Sequence, residues 1–272
     1  MELITQYASF SATSLCPQLG IEISNLDLTK AFTDKIAAEL YEALLHNHLI
    51  VIRAQTLCEN ALIKASKIFG EPVASIVPKY RLPEYPLISR HSNIRNEDDE
   101  PSGAMAPEFF WHSDSYLTET PNKATILYSI ISPHVGGETN FVNMCVAYDS
   151  LDDETKNLIN NRKAFYKNAY INRPPVAHPL VRINPVTNQK ALFVNIHRAL
   201  GVEGLLPNDA SNLLNKLYNH AIEPSQVYQH KWKDGDLVIW YNPSTMHAAT
   251  PISREHHRLL HRILIKGDIP VQ

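Results

Sequence analysis

Ala124-Thr-Ile-Leu-Tyr-Ser-Ile-Ile131 and Leu237-Val-Ile-Trp-Tyr241 are short runs of apolar, β-branched and aromatic residues, the composition of buried strands rather than of helices. Similar runs occupy 139–146, 164–170, 180–183, 191–194, 226–232 and 259–266. So many short strands in succession predict a sandwich or jelly roll: a mainly β fold with flanking helices and a double-stranded β-helix core. Asn184-Pro-Val-Thr-Asn188 supplies a hairpin-type turn between two of them.

Outward from this series the periodicity changes. Residues 33–48 read as an amphipathic helix capped by Thr33 or Asp34, with Ile36, Leu40, Ala43 and Leu44 on one face. A buried strand is expected at 49–53, and a second helix at 59–69 stopped by Gly70. Helical insertions are expected at 150–161 and 208–222. The pattern fades over 78–110, where Arg95-Asn-Glu-Asp-Asp-Glu-Pro-Ser-Gly103 is charged and rich in turn formers, so a long loop or lid is expected there. There is no internal repeat, and one elaborated domain over residues 1–272 accounts for the length.

With 25 basic and 28 acidic residues spread along the chain, the formal charge of -3 carries no footprint for nucleic acid or an anionic membrane. A small-molecule partner is the expectation; the sequence leaves open whether the chain forms a homo-oligomer. Cys16, Cys58 and Cys145 form no metal or disulfide pattern, no apolar run is long enough to span a membrane, and residues 1–20 lack a signal-peptide pattern, which together suggest the cytoplasm.

Thirteen histidines invite a metal reading that spacing must decide. In Trp111-His112-Ser113-Asp114 an imidazole and a carboxylate stand two apart, which on an extended segment turns both to one side. His247 follows the 237–241 strand and supplies a third ligand if the fold brings it in. Two histidines and one carboxylate on one face of an octahedral Fe(II) leave three positions open. Eleven residues past His247 stands Arg258, and four further on Arg262, in a strand-like stretch. Arginine suits the distal carboxylate of a 2-oxo acid because its planar fork makes two parallel charge-assisted hydrogen bonds.

These motifs, with Glu119-Thr-Pro121, Gly136-Gly-Glu-Thr139, His178-Pro-Leu-Val-Arg182, Leu192-Phe-Val-Asn195 and Asp236-Leu-Val-Ile-Trp240, resemble the taurine dioxygenase type of 2-oxoglutarate-dependent oxygenases, which includes dichlorophenoxyacetate dioxygenase. The resemblance runs over nearly the whole chain, from Leu19 to Asp268. It implies Fe(II) on His112, Asp114 and His247, with 2-oxoglutarate and O₂ as co-substrates and Thr139 and Arg258 on the 2-oxoglutarate carboxylate. It also implies an oxidoreductase that releases succinate and CO₂ while oxidising a small anionic substrate, normally by hydroxylation.

By the same resemblance Arg262 meets the substrate's anionic group, against a plainer reading as a surface strand residue paired with an acid. Arg198, near a position that lines the family's pocket, holds a second anionic group if it points inward and is otherwise an exposed loop residue. Where taurine dioxygenase has a histidine, this chain reads Pro72-Val-Ala-Ser-Ile-Val-Pro78, which puts taurine itself in doubt. Desaturation at the same iron site is the alternative within the class; a zinc hydrolase with the same ligands is the alternative outside it. His46, His48, His256, His257 and His261 are expected to have structural roles.

Overall fold

A computed structural model describes residues 4–104, 109–170 and 172–269. Nine strands form one large sheet in the order Ile4–Gln6, Ser11–Ser14, Ile21–Ser24, Leu49–Ile52, Leu237–Tyr241, Ala124–Ile131, Leu259–Ile265 and Pro72–Val73, with Ser89–Ser92 also pairing to Leu259–Ile265. The central strands are antiparallel, and their alternating side chains build two interiors from one sheet. Ile50, Ile52, Ile126, Ile239 and Ile263 pack on one face beneath the helices Asp34–Asn47 and Glu59–Ser66. Leu49, Val51, Leu127, Val238, Trp240 and Leu260 face the other way. Phe141 packs with this second set and belongs to a three-stranded sheet ordered Tyr228–His230, Thr139–Asn143, Thr245–Ala249. The candidate site lies in the space enclosed on this second face.

Helix boundaries follow local chemistry. Thr33 accepts a hydrogen bond from the Ile36 N–H at 3.3 Å, and left-handed His48 (φ 64°) ends that helix with its N–H on Leu44 O. The expected strand at 139–146 stops at Asn143, because the Asn143 side chain accepts from Cys145 and Val146 N–H and so starts the helix Met144–Asp149. The insertion expected at 150–161 narrows to Asp153–Ile159, capped by Asp152; the one expected at 208–222 spans Pro207–Ala221. Asn184 holds the turn between Val181–Ile183 and Lys190–Leu192 by accepting from Val186 and Thr187 N–H.

The long loop expected over 78–110 needs correction. It contains a 3₁₀ turn at Pro78–Tyr80 and the strand Ser89–Ser92, whose backbone also meets the 102–104 segment through Ala104 N–H to Arg90 O at 2.8 Å. Charge and turn formers concealed a short strand whose partners are remote in sequence; part of the segment, 105–108, lies outside the described residues.

Candidate active site

His112 runs beside the Thr245–Ala249 strand as a two-way backbone pair. Its N–H donates to His247 O at 3.0 Å and its carbonyl accepts from His247 N–H at 2.9 Å. Residues paired in this way present side chains to the same face, so two histidines 135 positions apart bring their rings to a centroid separation of 4.4 Å. Ser113 turns the opposite way and locks the segment: its N–H donates to Asn195 Oδ1 and its hydroxyl to Thr245 O. Alternation then returns Asp114 to the side of His112, as the i, i+2 spacing predicted.

Asp114 Oδ1 lies 3.7 Å from His112 Nε2 and 4.0 Å from His247 Nε2. One ligand atom from each residue falls within 4.8 Å of the others, the one such cluster found among the described residues. His112 Nδ1 is 3.0 Å from Phe110 O, so an Nδ1–H donor leaves the Nε2 lone pair for a metal. Burial, then the neighbouring His112, pushes His247 down to about 3, while Asp114 opposes the shift. Burial raises the Asp114 carboxyl, but His247, Arg262, His112 and the Thr125 hydrogen bond outweigh it and hold the group below the usual carboxylate range. A neutral imidazole and an ionised carboxylate are the states metal ligation requires.

Behind Asp114 stands a relay that sequence reading missed. Thr125 Oγ donates to Asp114 Oδ2 at 2.6 Å, Asn242 Nδ2 donates to Thr125 Oγ at 2.9 Å, and Trp240 Nε1 donates to Asn242 Oδ1 at 2.8 Å. Its signal was faint: Thr125 is a polar residue in phase with Leu127 and Ser129 on a mostly apolar strand, which alternation alone marks as facing the same interior.

Two cavities meet at the triad. One of about 250 Å³ is walled by His91, Leu127, Thr139, Trp240, Arg258 and Leu260. The other, of about 500 Å³, extends past Ile76, Leu117, Tyr170 and Leu264. His112, Asp114 and Arg262 line both. Leu260, Arg262 and Leu264 face the cavities because they alternate along one strand, and Arg258 joins them at its start. Thr139 accepts from Trp232 Nε1 at 3.0 Å, which fixes its hydroxyl in the smaller cavity's wall.

Arg258 Nη1 donates to Gly137 O, while the buried Nε atoms of Arg258 and Arg262 have no hydrogen-bond partner among the described residues. Two guanidinium groups with donors to spare inside a cavity fit an anionic ligand. Burial lowers both arginines; Asp114 partly offsets the effect at Arg262.

The structure thus brings together His112, Asp114, His247, Thr139, Arg258 and Arg262. It does not bring in Arg198. That residue is exposed with a left-handed backbone (φ 59°), its carbonyl accepts from Lys167 N–H where the chain joins the Ala199–Val202 strand, and it lines neither cavity. His48 is buried against Ser244 Oγ at 2.8 Å, whereas His46 is exposed, so the two do not form a ligand pair.

Known proteins share this architecture. Residues 11–264 match the family described as "Taurine catabolism dioxygenase TauD, TfdA family". The (S)-phenoxypropionate/alpha-ketoglutarate-dioxygenase of Sphingobium herbicidovorans is 27% identical over 96% of this chain and 94% of its own length. The alpha-ketoglutarate-dependent 2,4-dichlorophenoxyacetate dioxygenase of Cupriavidus pinatubonensis is 27% identical over 97% of this chain and 100% of its own. Among solved structures, a taurine dioxygenase from Burkholderia xenovorans superposes with a TM-score of 0.85 at 26% identity, covering 97% of this chain and 93% of that one.

Proposed function

The chain belongs to the TauD, TfdA family of 2-oxoglutarate-dependent dioxygenases, and on that premise we propose that it hydroxylates a small anionic organic substrate between its two cavities. Fe(II) would be held by His112 and His247 through Nε2 and by Asp114 through Oδ1. The 2-oxoglutarate lies in the smaller cavity with its distal carboxylate on Arg258 and Thr139. The substrate lies in the larger one with its anionic group toward Arg262. The observation that carries the reading is the convergence of the three ligand atoms where a cavity bearing Arg258 and Thr139 opens onto a second one.

Bound iron supplies, with 2-oxoglutarate and O₂, the oxidising power, and succinate and CO₂ leave as co-products. The chain's residues do the rest. Asp114, held by Thr125, balances charge at the metal; Arg258 orients the 2-oxo acid by a forked hydrogen bond; Arg262 sits where it serves both cavities. Leu127, Trp240 and Leu260 keep water from the smaller cavity's wall, which His91, Ala104 and Phe110 also line. The two facing sheets are read as the halves of a double-stranded β-helix. Three free cysteines support a reducing, cytoplasmic setting.

Succinate release from 2-oxoglutarate, measured in air with Fe(II) and a panel of small organic anions, tests the proposal. A positive result is Fe(II)-dependent succinate formation that Asp114→Ala abolishes. Succinate formation unchanged in Asp114→Ala refutes the ligand assignment, and hydrolysis supported by Zn(II) without O₂ uptake refutes the class.

A further inference from the structure

His91 has no part in the assignments above. It lies on the strand Ser89–Ser92, antiparallel to Leu259–Ile265, with His91 directly opposite Leu260 and Ser89 opposite Arg262. Opposed residues of an antiparallel pair share a face. Leu260 faces the smaller cavity between Arg258 and Arg262, so His91 enters the same space, on the flank between the two guanidinium groups.

The backbone is clamped from both edges. One edge is the Leu259–Ile265 ladder; the other is the 102–104 segment, where a side chain on Gly103 would stand 2.6 Å from Ser92 N and 2.8 Å from Arg90 O. This close approach, open only to glycine, holds His91 in place before any ligand arrives. Its Nε2 is buried and without a hydrogen-bond partner among the described residues. It is not a member of the ligating cluster, so the metal does not account for it. Burial, then the positive field of Arg262, holds the imidazole well below its usual range against the opposing Asp114, and a neutral ring has one N–H to donate.

We propose that His91 is a further binding residue for 2-oxoglutarate, donating from Nε2 to a carboxylate oxygen of the 2-oxo acid alongside Arg258 and Thr139. This rests on the assignment of the smaller cavity to 2-oxoglutarate. A buried donor facing a carboxylate is worth about ten- to a hundredfold in affinity.

The test is 2-oxoglutarate binding to Mn(II)-loaded full-length protein by calorimetry, with the Mn(II) dissociation constant measured separately. His91→Leu should weaken 2-oxoglutarate binding about ten- to a hundredfold with Mn(II) affinity unchanged. His91→Gln, which restores an N–H donor, should recover most of the loss. Arg258→Ala is the reference for the cavity itself. If Arg258→Ala weakens binding and His91→Leu does not, the His91 inference is overturned while the cavity assignment stands. If Arg258→Ala binds as wild type, the cavity assignment falls and takes this inference with it. A loss of Mn(II) affinity in His91→Leu, or no recovery in His91→Gln, also overturns the role.

Discussion

Thr125→Val removes one oxygen from the support of the proposed metal site and leaves the shape of the side chain unchanged. Thr125 is fully buried, its hydroxyl donates to Asp114 Oδ2 at 2.6 Å, and the same oxygen accepts from Asn242 Nδ2. Losing a hydrogen bond to a charged group costs about 1.5 to 3 kcal/mol, and leaving a buried amide without its acceptor costs about 1 to 3 kcal/mol more. The metal-free variant should therefore be less stable by roughly 2.5 to 6 kcal/mol in urea denaturation. With one oxygen released, Asp114 loses its fixed orientation and its carboxyl becomes more basic. Metal affinity should then fall about 10- to 100-fold, the usual cost of losing a partner behind a ligand. The loss should be larger at pH 5 than at pH 7.5, since protons compete better for a more basic carboxylate. Calorimetric titration with Mn(II) measures this, and Thr125→Ser should restore affinity. A folded Thr125→Val protein that binds Mn(II) within about twofold of wild type at both pH values would refute the argument.

Arg258→Ala should raise the 2-oxoglutarate KM steeply, because a buried carboxylate without its partner costs on the order of 3 to 5 kcal/mol; initial rates of succinate formation that saturate as in wild type contradict this. Acid should destabilise the fold between pH 6.5 and 4. Burial, and secondarily His46, lowers His48 to about 4, and burial lowers His178 to about 4 against the opposing bond from its Nε2 to Tyr116 O. Because these folded-state values are depressed, the unfolded chain takes up protons first as pH falls below 6.5. Each histidine then withdraws up to ~3 kcal/mol, and His178→Gln should flatten the dependence seen in urea titrations at pH 7 and pH 4.5. An equally steep fall in that variant removes His178 from the account. Gly267→Ala should lower the melting temperature by several degrees, since its added carbon would lie 1.7 Å from Pro121 O; an unchanged melting temperature shows that the two segments separate freely.

The sequence alone reached the β-rich class because Ala124–Ile131 and Leu237–Tyr241 are mostly apolar, β-branched or aromatic, as burial on both faces requires, and Leu259–Ile265 is apolar on either side of His261-Arg262. Shorter elements escaped it. Thr245–Ala249, which carries His247, has little β-branched character and is a strand because Thr139–Asn143 pairs with all of it. Ser89–Ser92 has no apolar pattern at all and depends on Leu259–Ile265 in the same way.

The candidate site divides along the same line. His112 and Asp114 were legible because a two-residue spacing on extended chain has one geometric outcome, and Arg258 and Arg262 because their strand alternates. That His247 meets His112 through a backbone pair, that Thr125, Asn242 and Trp240 stand behind Asp114, that Arg198 points away, and that His91 lies between the two arginines were decided by tertiary structure alone. The physical reason is that the residue types able to ligate a metal or pair with a carboxylate are local properties of a sequence. Which of them share a cavity depends on register between strands far apart in the chain, and a one-residue slip would turn each to the opposite face.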